Sequence, residues 1–428
     1  MKILITGSGG REHALAWALA RSPEVEKVIA APGSAGIGRV AECVPVDVSD
    51  HAAVAELCRT ERIDLVVIGP ERPLIAGLAD DLRAKGVAVF GPGADGARIE
   101  GSKVFAKNLF RDAGIPTARF ETFDNADSAE SCARNWQGPL VEKADGEAFG
   151  KGVLMCETPD EAVSAVRTVI RGDAFGAAGR KVVLEERLTG TEMSLFALCD
   201  GKTVLPFQTA QDYKRIGDGD TGPNTGGMGA VSPVPFVTEG MLRAAVNDIL
   251  VPTVKALRGH GIDYRGLLYA GLMWTGGGWK ILEYNCRFGD PETQVLLPRL
   301  ESDLAPLLMA SANGDLGGRE LRWSSDAAAC VVLASEGYPG AYEKGRIIRG
   351  LKLAEEMGAL VFHAGTARND QRLFATSGGR VLNVTATGAT IAEALEKAYE
   401  AADAIEFEGK QMRRDIGRNQ YAGKDLKA

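Results

Sequence analysis

Apolar positions recur along this chain with two periods, and their alternation predicts most of the architecture. Residues 2–6, K-I-L-I-T, form a short apolar run that reads as a strand. G-S-G-G turns it into R-E-H-A-L-A-W-A-L-A, where Ala14, Leu15, Trp17, Ala18 and Leu19 fall on one helical face. Further strand-like runs at residues 28–31, 65–69 and 87–90 alternate with helical segments. Strand, glycine turn and helix in repetition open a doubly wound α/β sheet. The F-G-P turn at 90–92 and a polar helix then mark a domain boundary near residue 100, and Ser102 suits the N-cap of the next helix. Downstream, residues 139–155 hold two strand-like runs around a glycine-rich loop, and residues 181–192 a strand running into a turn. Residues 238–257 are patterned as helix, 264–273 and 278–284 as strands. A last unit begins with D-A-A-A-C-V-V-L-A-S and ends in G-G-R-V-L-N-V-T-A-T-G and a helix around 391–405.

Composition narrows the class. With 428 residues, two to four domains are expected, and 45% hydrophobic with 25% charged residues is a globular balance. No run approaches the roughly 18 apolar residues of a membrane helix, and M-K-I-L-I-T-G-S-G-G reads as a first strand, not a signal peptide. The 7 cysteines are scattered and never spaced C-x-x-C, which argues against a disulfide framework or zinc site and for a reducing cytoplasm. A net charge of −8 gives no basic footprint for nucleic acid.

The stretch with the densest chemistry is I-L-E-Y-N-C-R-F-G-D-P-E-T-Q, residues 281–294. Ile281 and Leu282 read as the end of a buried strand, and Glu283 and Asn285, two apart, point their side-chain oxygens to one face. A carboxylate and an amide oxygen suit a hard divalent cation that keeps positions open for water and phosphate. Arg287 follows on the same face, where a guanidinium can hold a carboxylate substrate or a transferring phosphoryl group. Cys286 turns the other way, into the core, and Pro291 is expected at a helix N1 position. A surface ion-pair network is the alternative that spacing alone leaves open.

Two glycine-rich stretches bear on phosphates. Gly7-x-Gly9 lacks the third glycine of a dinucleotide fingerprint, Glu12 standing in its place, and no acidic ribose ligand ends the second strand. A nicotinamide dinucleotide is therefore disfavoured, while the amides of Gly9 and Gly10 can still receive a phosphate monoester at a helix N-terminus. Residues 139–155, with Gly146, Gly150 and Gly152, lack the spacing of a P-loop and read as a hairpin that folds over phosphates. The stretch Q-D-Y-K-R-I-G-D-G-D-T-G-P-N-T-G-G-M-G-A, residues 211–230, is too rich in glycine and charge for core and reads as a functional loop.

R-F-G-D-P-E-T-Q after L-E-x-N resembles the glycinamide ribonucleotide synthetase family of ATP-grasp ligases. G-S-G-G-R-E-H-A, A-P-G-S-A-G and G-P-E-R-P-L near the N-terminus, the 211–230 loop and the C-terminal phrases are similar too, so the likeness spans essentially the whole chain. It implies an α/β N-terminal Rossmann-like domain (1–101), an ATP-grasp domain (102–325) with a lid over about 124–187, and a small α/β C-terminal domain (326–428), α+β overall. It implies ATP-dependent joining of glycine to 5-phosphoribosylamine through a glycyl phosphate, with Mg²⁺ or Mn²⁺ on Glu283 and Asn285, in a cytoplasmic monomer or weak dimer. For ATP it implies Lys103, Lys143, Gly150, Lys151, Gly152, Glu185, Glu186, Leu188 and Glu192. Substrate residues would be Gly9, Gly10, Asp212, Lys214, Asn224, Gly226, Gly227, Arg287 and Asp290, with Arg287, Asp212 and Lys214 catalytic. Among the histidines only His13, beside the first glycine turn, is a candidate for binding.

Four positions depart from that pattern: Ser34 stands for Asn, Tyr213 for His, Glu147 for an apolar residue, and Glu142 is a further departure. Tyr213 puts a proton-transfer role at its position in question. Two rivals stay open, another carboxylate–amine ligase of the same fold and a nucleotide-binding module without activity.

Overall fold

The computed structural model describes residues 1–146, 152–171 and 179–417. The N-terminal strand Lys2–Gly7 is the centre of a parallel sheet in the order Glu42–Cys43, Lys27–Pro32, Lys2–Gly7, Leu65–Ile68, Ala88–Phe90. Its uninterrupted apolar run follows from burial on both faces: Leu4 joins one core cluster, while Ile3 and Ile5 join another. The first helix, Gly10–Leu19, departs from the one-face expectation. Ala16 is buried and Trp17 and Ala18 only half-buried, because the helix is packed on several sides, against its own sheet, the helix Glu292–Leu296 and the strand Leu360–His363.

Ser102 caps the helix Lys103–Asp112 as expected, its Oγ accepting the Phe105 amide at 3.1 Å. A separate lobe follows, an antiparallel sheet in the order Phe120–Phe123, Val182–Glu186, Leu140–Ala144, Val153–Cys156. One face of this sheet, with Leu140, Ala144, Val182 and Leu184, packs on the helices Ala126–Asn135 and Pro159–Val166. The other face presents Lys143 and Glu185 to the main body.

The largest sheet runs Trp279–Asn285, Arg265–Trp274, Thr191–Asp200, Val204–Asp212, Gly229–Ser232, Ala327–Ser335, Arg380–Gly388, Leu360–His363. It does not stop near residue 325: Val231 pairs with Ala329, so one sheet spans the ATP-grasp and C-terminal segments. Residues 211–230, read from sequence as a loop, contain a hairpin of Arg215–Gly217 and Thr221–Asn224 and bury Tyr213 and Met228. The helical stretch 238–257 is built as Glu239–Ala245, a wider turn at Val246–Leu250 and Val251–Gly259, the change falling before Pro252, which has no amide to donate. Pro291 is the N-cap of the helix Glu292–Leu296, one position earlier than expected. No described helix is long and apolar enough to cross a membrane.

Candidate active site

A bulge in the strand Trp279–Asn285 decides which side chains reach the cleft. Ile281 pairs with Leu272 and Glu283 with Gly271, so Leu282 is an extra residue. Before it Trp279 and Ile281 enter the core; after it Tyr284 and Cys286 do. Glu283, Asn285 and Arg287 therefore share the opposite side and line a cavity of about 260 Å³. Without the bulge these odd-numbered residues would have continued on the core face.

Lys103, Lys107, Lys143, Gly152, Glu71 and Glu100 line the same cavity. Glu283 is exposed to the cleft yet lies deep within it: burial alone would lift its carboxyl, but Lys214, Lys143, Lys103 and Arg287 outweigh that and hold it below the usual carboxylate range. Among the described residues its carboxylate has no hydrogen bond, and Asn285 Oδ1 accepts only from Arg287 Nη2, at 3.0 Å. Both oxygens thus keep lone pairs, and two hard oxygens among cations that also attract phosphate fit a divalent ion shared with a nucleotide. Among the described residues no group of three His, Cys, Asp or Glu side chains could hold a metal alone.

Arg287 is fixed from two other elements. Its Nη2 donates to Glu100 Oε1 at 2.8 Å and its Nε to Glu71 Oε2 at 3.2 Å. Burial opposes its charge, and Glu100 and Glu71 more than offset this. On the facing lobe Glu185 joins two lysines, Oε1 to Lys143 and Oε2 to Lys107, each at 2.5 Å. Burial, with Lys143 adding to it, pulls Lys107 below its ordinary pKa despite Glu185 and Glu283, whereas for Lys143 the same two carboxylates outweigh burial and hold it above. Lys103 Nζ donates to the Gly146 carbonyl at 3.1 Å, and burial lowers its pKa.

The next group of predicted residues is joined to this cavity by Lys214. Lys214 Nζ meets Glu192 Oε2 at 2.9 Å, and Glu192, Asp212 and Glu283 together raise its pKa well above the ordinary value against burial. Asp212 ends the strand Val204–Asp212. Burial, with Glu292 and Glu192 adding to it and Lys214 opposing, pushes its carboxyl up to about 7. Glu292 in turn accepts the Tyr269 hydroxyl, which also meets Ser194 Oγ at 3.0 Å.

Around the first helix the predicted anion site is partly occupied by the protein itself. The Gly9 amide donates to Glu12 Oε2 at 2.7 Å and the Arg11 amide to Asp290 Oδ2 at 2.9 Å. Gly10 is the predicted residue whose amide no described residue engages. Glu12 also explains the missing third glycine: Gly7 has φ +119°, and a Cβ there would lie 2.7 Å from Glu12 Cγ. Asp290, expected as a substrate ligand, has both oxygens engaged, Oδ1 with Gln294 Nε2 at 2.9 Å and Arg380 Nη1 at 3.2 Å. Arg380 Nη1 also donates to the Gly226 and Asp290 carbonyls at 2.6 and 2.7 Å, while its Nε and Nη2, lying beside Gly226, have no hydrogen-bond partner among the described residues. His13 binds protein too, Nδ1 accepting the His363 amide at 2.8 Å.

Asn224 and Gly226 lie exposed on the outer side of their loop and Gly227 is buried. Glu186 ends the strand Val182–Glu186, half-buried Leu188 follows it, and neither is brought into the cavity, Glu186 Oε2 accepting the Arg119 amide at 3.3 Å. Gly150, Lys151 and the departure Glu147 lie outside the described residues. A larger groove of about 730 Å³, with Asp80, Arg83, Asp263 and Arg265 among its lining residues, contains none of the predicted residues.

Reading the sequence missed Glu71, Glu100, Lys107, Arg380 and the Tyr269–Glu292 pair as parts of the site. Lys107 carried a usable signal, four residues after Lys103 and so on the same helical face. Glu71 sits in G-P-E-R-P-L, which pointed only to the N-terminal domain. Glu100 and Arg380 carried no local signal.

Family profiles for the phosphoribosylglycinamide synthetase N domain, ATP-grasp (A) domain and C domain match residues 1–100, 101–293 and 328–419. The chain is 53% identical over 417 residues to the phosphoribosylamine–glycine ligase of Mesorhizobium japonicum, a match covering 97% of this chain and 98% of that protein. Identity to the Escherichia coli phosphoribosylamine–glycine ligase is 47% over 420 residues, covering 97% and 98%. The crystal structure of phosphoribosylamine–glycine ligase from Thermotoga maritima matches with a TM-score of 0.86 at 36% identity, over 97% of this chain and all 100% of that one.

Proposed function

The chain belongs to the phosphoribosylglycinamide synthetase family and is an ATP-dependent ligase joining glycine to 5-phosphoribosylamine, and from that premise we propose how its own side chains divide the work. The reaction gives glycinamide ribonucleotide, ADP and phosphate. A carboxylate is a poor electrophile, so the γ-phosphoryl group of ATP passes to the glycine carboxylate, and the amine then displaces phosphate from the glycyl phosphate.

Lys103 and Lys143 neutralise the ATP phosphates, and Glu185, bridging Lys143 and Lys107, holds them in place. Gly150, Lys151 and Gly152 belong to the loop over the phosphates, Glu186 and Leu188 to the adenine side and Glu192 to the ribose. Glu283 and Asn285 hold the divalent cation, Mg²⁺ or Mn²⁺, which when bound supplies charge neutralisation to the phosphate oxygens. Arg287, immobilised by Glu71 and Glu100, binds the glycine carboxylate and then the transferring phosphoryl oxygens. Asp212 accepts the proton the amine loses as the new C–N bond forms and the C–O bond to phosphate breaks, and Lys214 orients it. The Gly10 amide, Gly226, Gly227, Asn224 and the free edge of Arg380 receive the ribose phosphate. Asp290 and Gly9 shape that subsite from behind.

What carries this reading is the convergence of Lys103, Lys143, Glu283, Asn285 and Arg287 on one cavity, with Lys214 between it and Asp212. The large exposed apolar side chains, among them Met155, Val251, Leu353 and Leu373, are spread over several elements, which supports a monomer or weak dimer, and the free cysteines a cytoplasmic setting. The domain limits remain 1–101, 102–325 and 326–428. ADP release, followed with glycine and phosphoribosylamine supplied separately and together, tests the reading. Full turnover is expected only with both. Equal release with acetate in place of glycine, or with no carboxylate at all, would overturn the glycine assignment.

A further inference from the structure

Burying a guanidinium is costly unless each of its nitrogens finds a partner, and Arg413, at 1% side-chain exposure, is buried with all of them engaged. Its Nε and Nη2 take the two oxygens of Asp415 at 2.8 and 2.7 Å. Its Nη1 leaves the C-terminal segment and donates to Asp220 Oδ1 at 2.7 Å and the Arg215 carbonyl at 3.2 Å. The flanking positions do the same: Asp415 Oδ2 accepts the Gly219 amide at 2.9 Å, and the Arg414 amide donates to Asp218 Oδ1 at 2.7 Å. Three successive residues near residue 415 thus grip Asp218, Gly219 and Asp220, the tip of the hairpin Arg215–Gly217 and Thr221–Asn224.

That hairpin has little of its own to hold it. Its second strand is exposed along its whole length and its ladder is interrupted between Arg215 and Gly217. Two strands without a packed face are marginal in water. Arg413 also reaches the hairpin's base, its Cζ lying 5.2 Å from the centroid of the buried Tyr213 ring. Tyr213 stands between Asp212 and Lys214, so the guanidinium touches the residue joining them as well as the far tip. This gives Tyr213 a role as platform for a cation, for which an aromatic ring is enough.

We propose that Arg413–Asp415 is a clasp that fixes the hairpin 215–224, with Asp212 and Lys214 at its root, in the position that receives the amine substrate; Arg413 is a positioning residue for phosphoribosylamine. This rests on the assignment of Asp212 and Lys214 to the substrate side of the site. The clasp has no hydrogen bond or ion pair with Lys103, Lys107 or Lys143, so its loss should fall mainly on the amine substrate, with ATP sensing it only through the Lys214–Glu192 pair.

The test uses the full-length enzyme and two variants. Asp220→Asn weakens the clasp from the exposed hairpin side and leaves the Arg413–Asp415 pair intact. Arg413→Lys keeps the charge, but an ammonium cannot span Asp415 and Asp220 together. Both are expected to raise KM for phosphoribosylamine about tenfold, the loss of one charge-assisted bond, with KM for ATP moving much less. Amide hydrogen exchange at residues 215–224 should quicken in both. Parallel increases in the phosphoribosylamine and ATP constants, or faster exchange with neither constant moved, would overturn the proposal by showing a clasp that serves stability alone. An unaltered enzyme whose ADP release ignores phosphoribosylamine would instead remove the substrate assignment beneath it.

Discussion

The Asp290 carboxylate accepts the backbone amide of Arg11 at 2.9 Å, across 279 positions of sequence. The same side chain meets Gln294 and Arg380, so one residue stitches the first helix, the motif around residue 290 and the C-terminal strand Arg380–Gly388 together. Burial would lift its pKa, but Arg380 and Arg11 outweigh this and hold it down, and a negative charge at a helix N-terminus is favoured. Asp290→Asn is expected to cost about 2 kcal/mol in urea unfolding and to raise KM for phosphoribosylamine but not for ATP. The stability that Asn removes is present above roughly pH 4, the ordinary carboxylate pKa, and fades on acidification through the depressed folded value. Unchanged stability with a raised constant would make Asp290 a substrate ligand instead of a stitch.

Arg287 offers a sharper contrast. Glu100 and Glu71 hold its guanidinium by two different nitrogens, a geometry that an ammonium cannot copy. Arg287→Lys should therefore lower kcat by about 10²-fold or more, the scale for losing one preorganised donor to a developing charge. Glu100→Gln, which frees the fork without removing it, should give a smaller loss. Single-turnover ADP formation measures both; equal rates in Arg287→Lys and the unaltered enzyme would return the residue to a structural ion pair.

Much of the fold was legible because the patterns were long and regular. Lys2–Gly7 reads as a two-sided strand from K-I-L-I-T alone, and Ser102 declared its helix. Trp17 and Ala18 misled because a helix packed on several sides has no single apolar stripe, a fact set by the C-terminal strand Leu360–His363 far along the chain. The hairpin 215–224 went unseen because glycine and charge weaken any strand signal, and the contacts holding it come from Arg413 to Asp415. In the site, Glu283, Asn285 and Arg287 were legible as one face, yet what directs that face to the cleft is a bulge at Leu282 that nothing in I-L-E-Y-N announces. Glu71 and Glu100 reach Arg287 from distant elements, Glu100 also accepting the Cys286 amide at 2.7 Å, and tertiary partners of that kind leave no spacing to read.

Asp212 sets an expected pH dependence. Its carboxyl is pushed up to about 7, so below that pH it carries the proton it is proposed to accept. The rate with saturating ATP and glycine should fall on the acid side with an apparent pKa near 7. Asp212→Asn should lose that limb and most of kcat together. A limb that survives in Asp212→Asn would assign the titration to another group.

Glu142 offers a test in the lobe itself. It lies on the strand Leu140–Ala144 with Leu154 and Leu184 as cross-strand neighbours, on the face that Leu140 and Ala144 turn to the lobe core. It is 0% exposed, and neither carboxyl oxygen has a hydrogen-bond partner among the described residues. Burial pushes it up from the ordinary 4.5 to about 8, and across the sheet Cys156, itself raised by burial, is the titratable group that senses it. The sign follows from proton binding: between these values the folded state holds a proton that the unfolded chain has released. The stability linked to that proton is full below about pH 4.5 and is lost as pH rises through 8, by at most about 5 kcal/mol. Because Lys143, the next residue, lines the nucleotide cavity, KM for ATP should rise over the same range. Glu142→Leu should flatten the pH dependence of both unfolding and KM, and Glu142→Gln should flatten it while leaving a buried amide to solvate. Urea unfolding from pH 5.5 to about 8.5, spanning the raised value, decides it: a flat profile for the unaltered protein would mean that this carboxyl is solvated or paired after all.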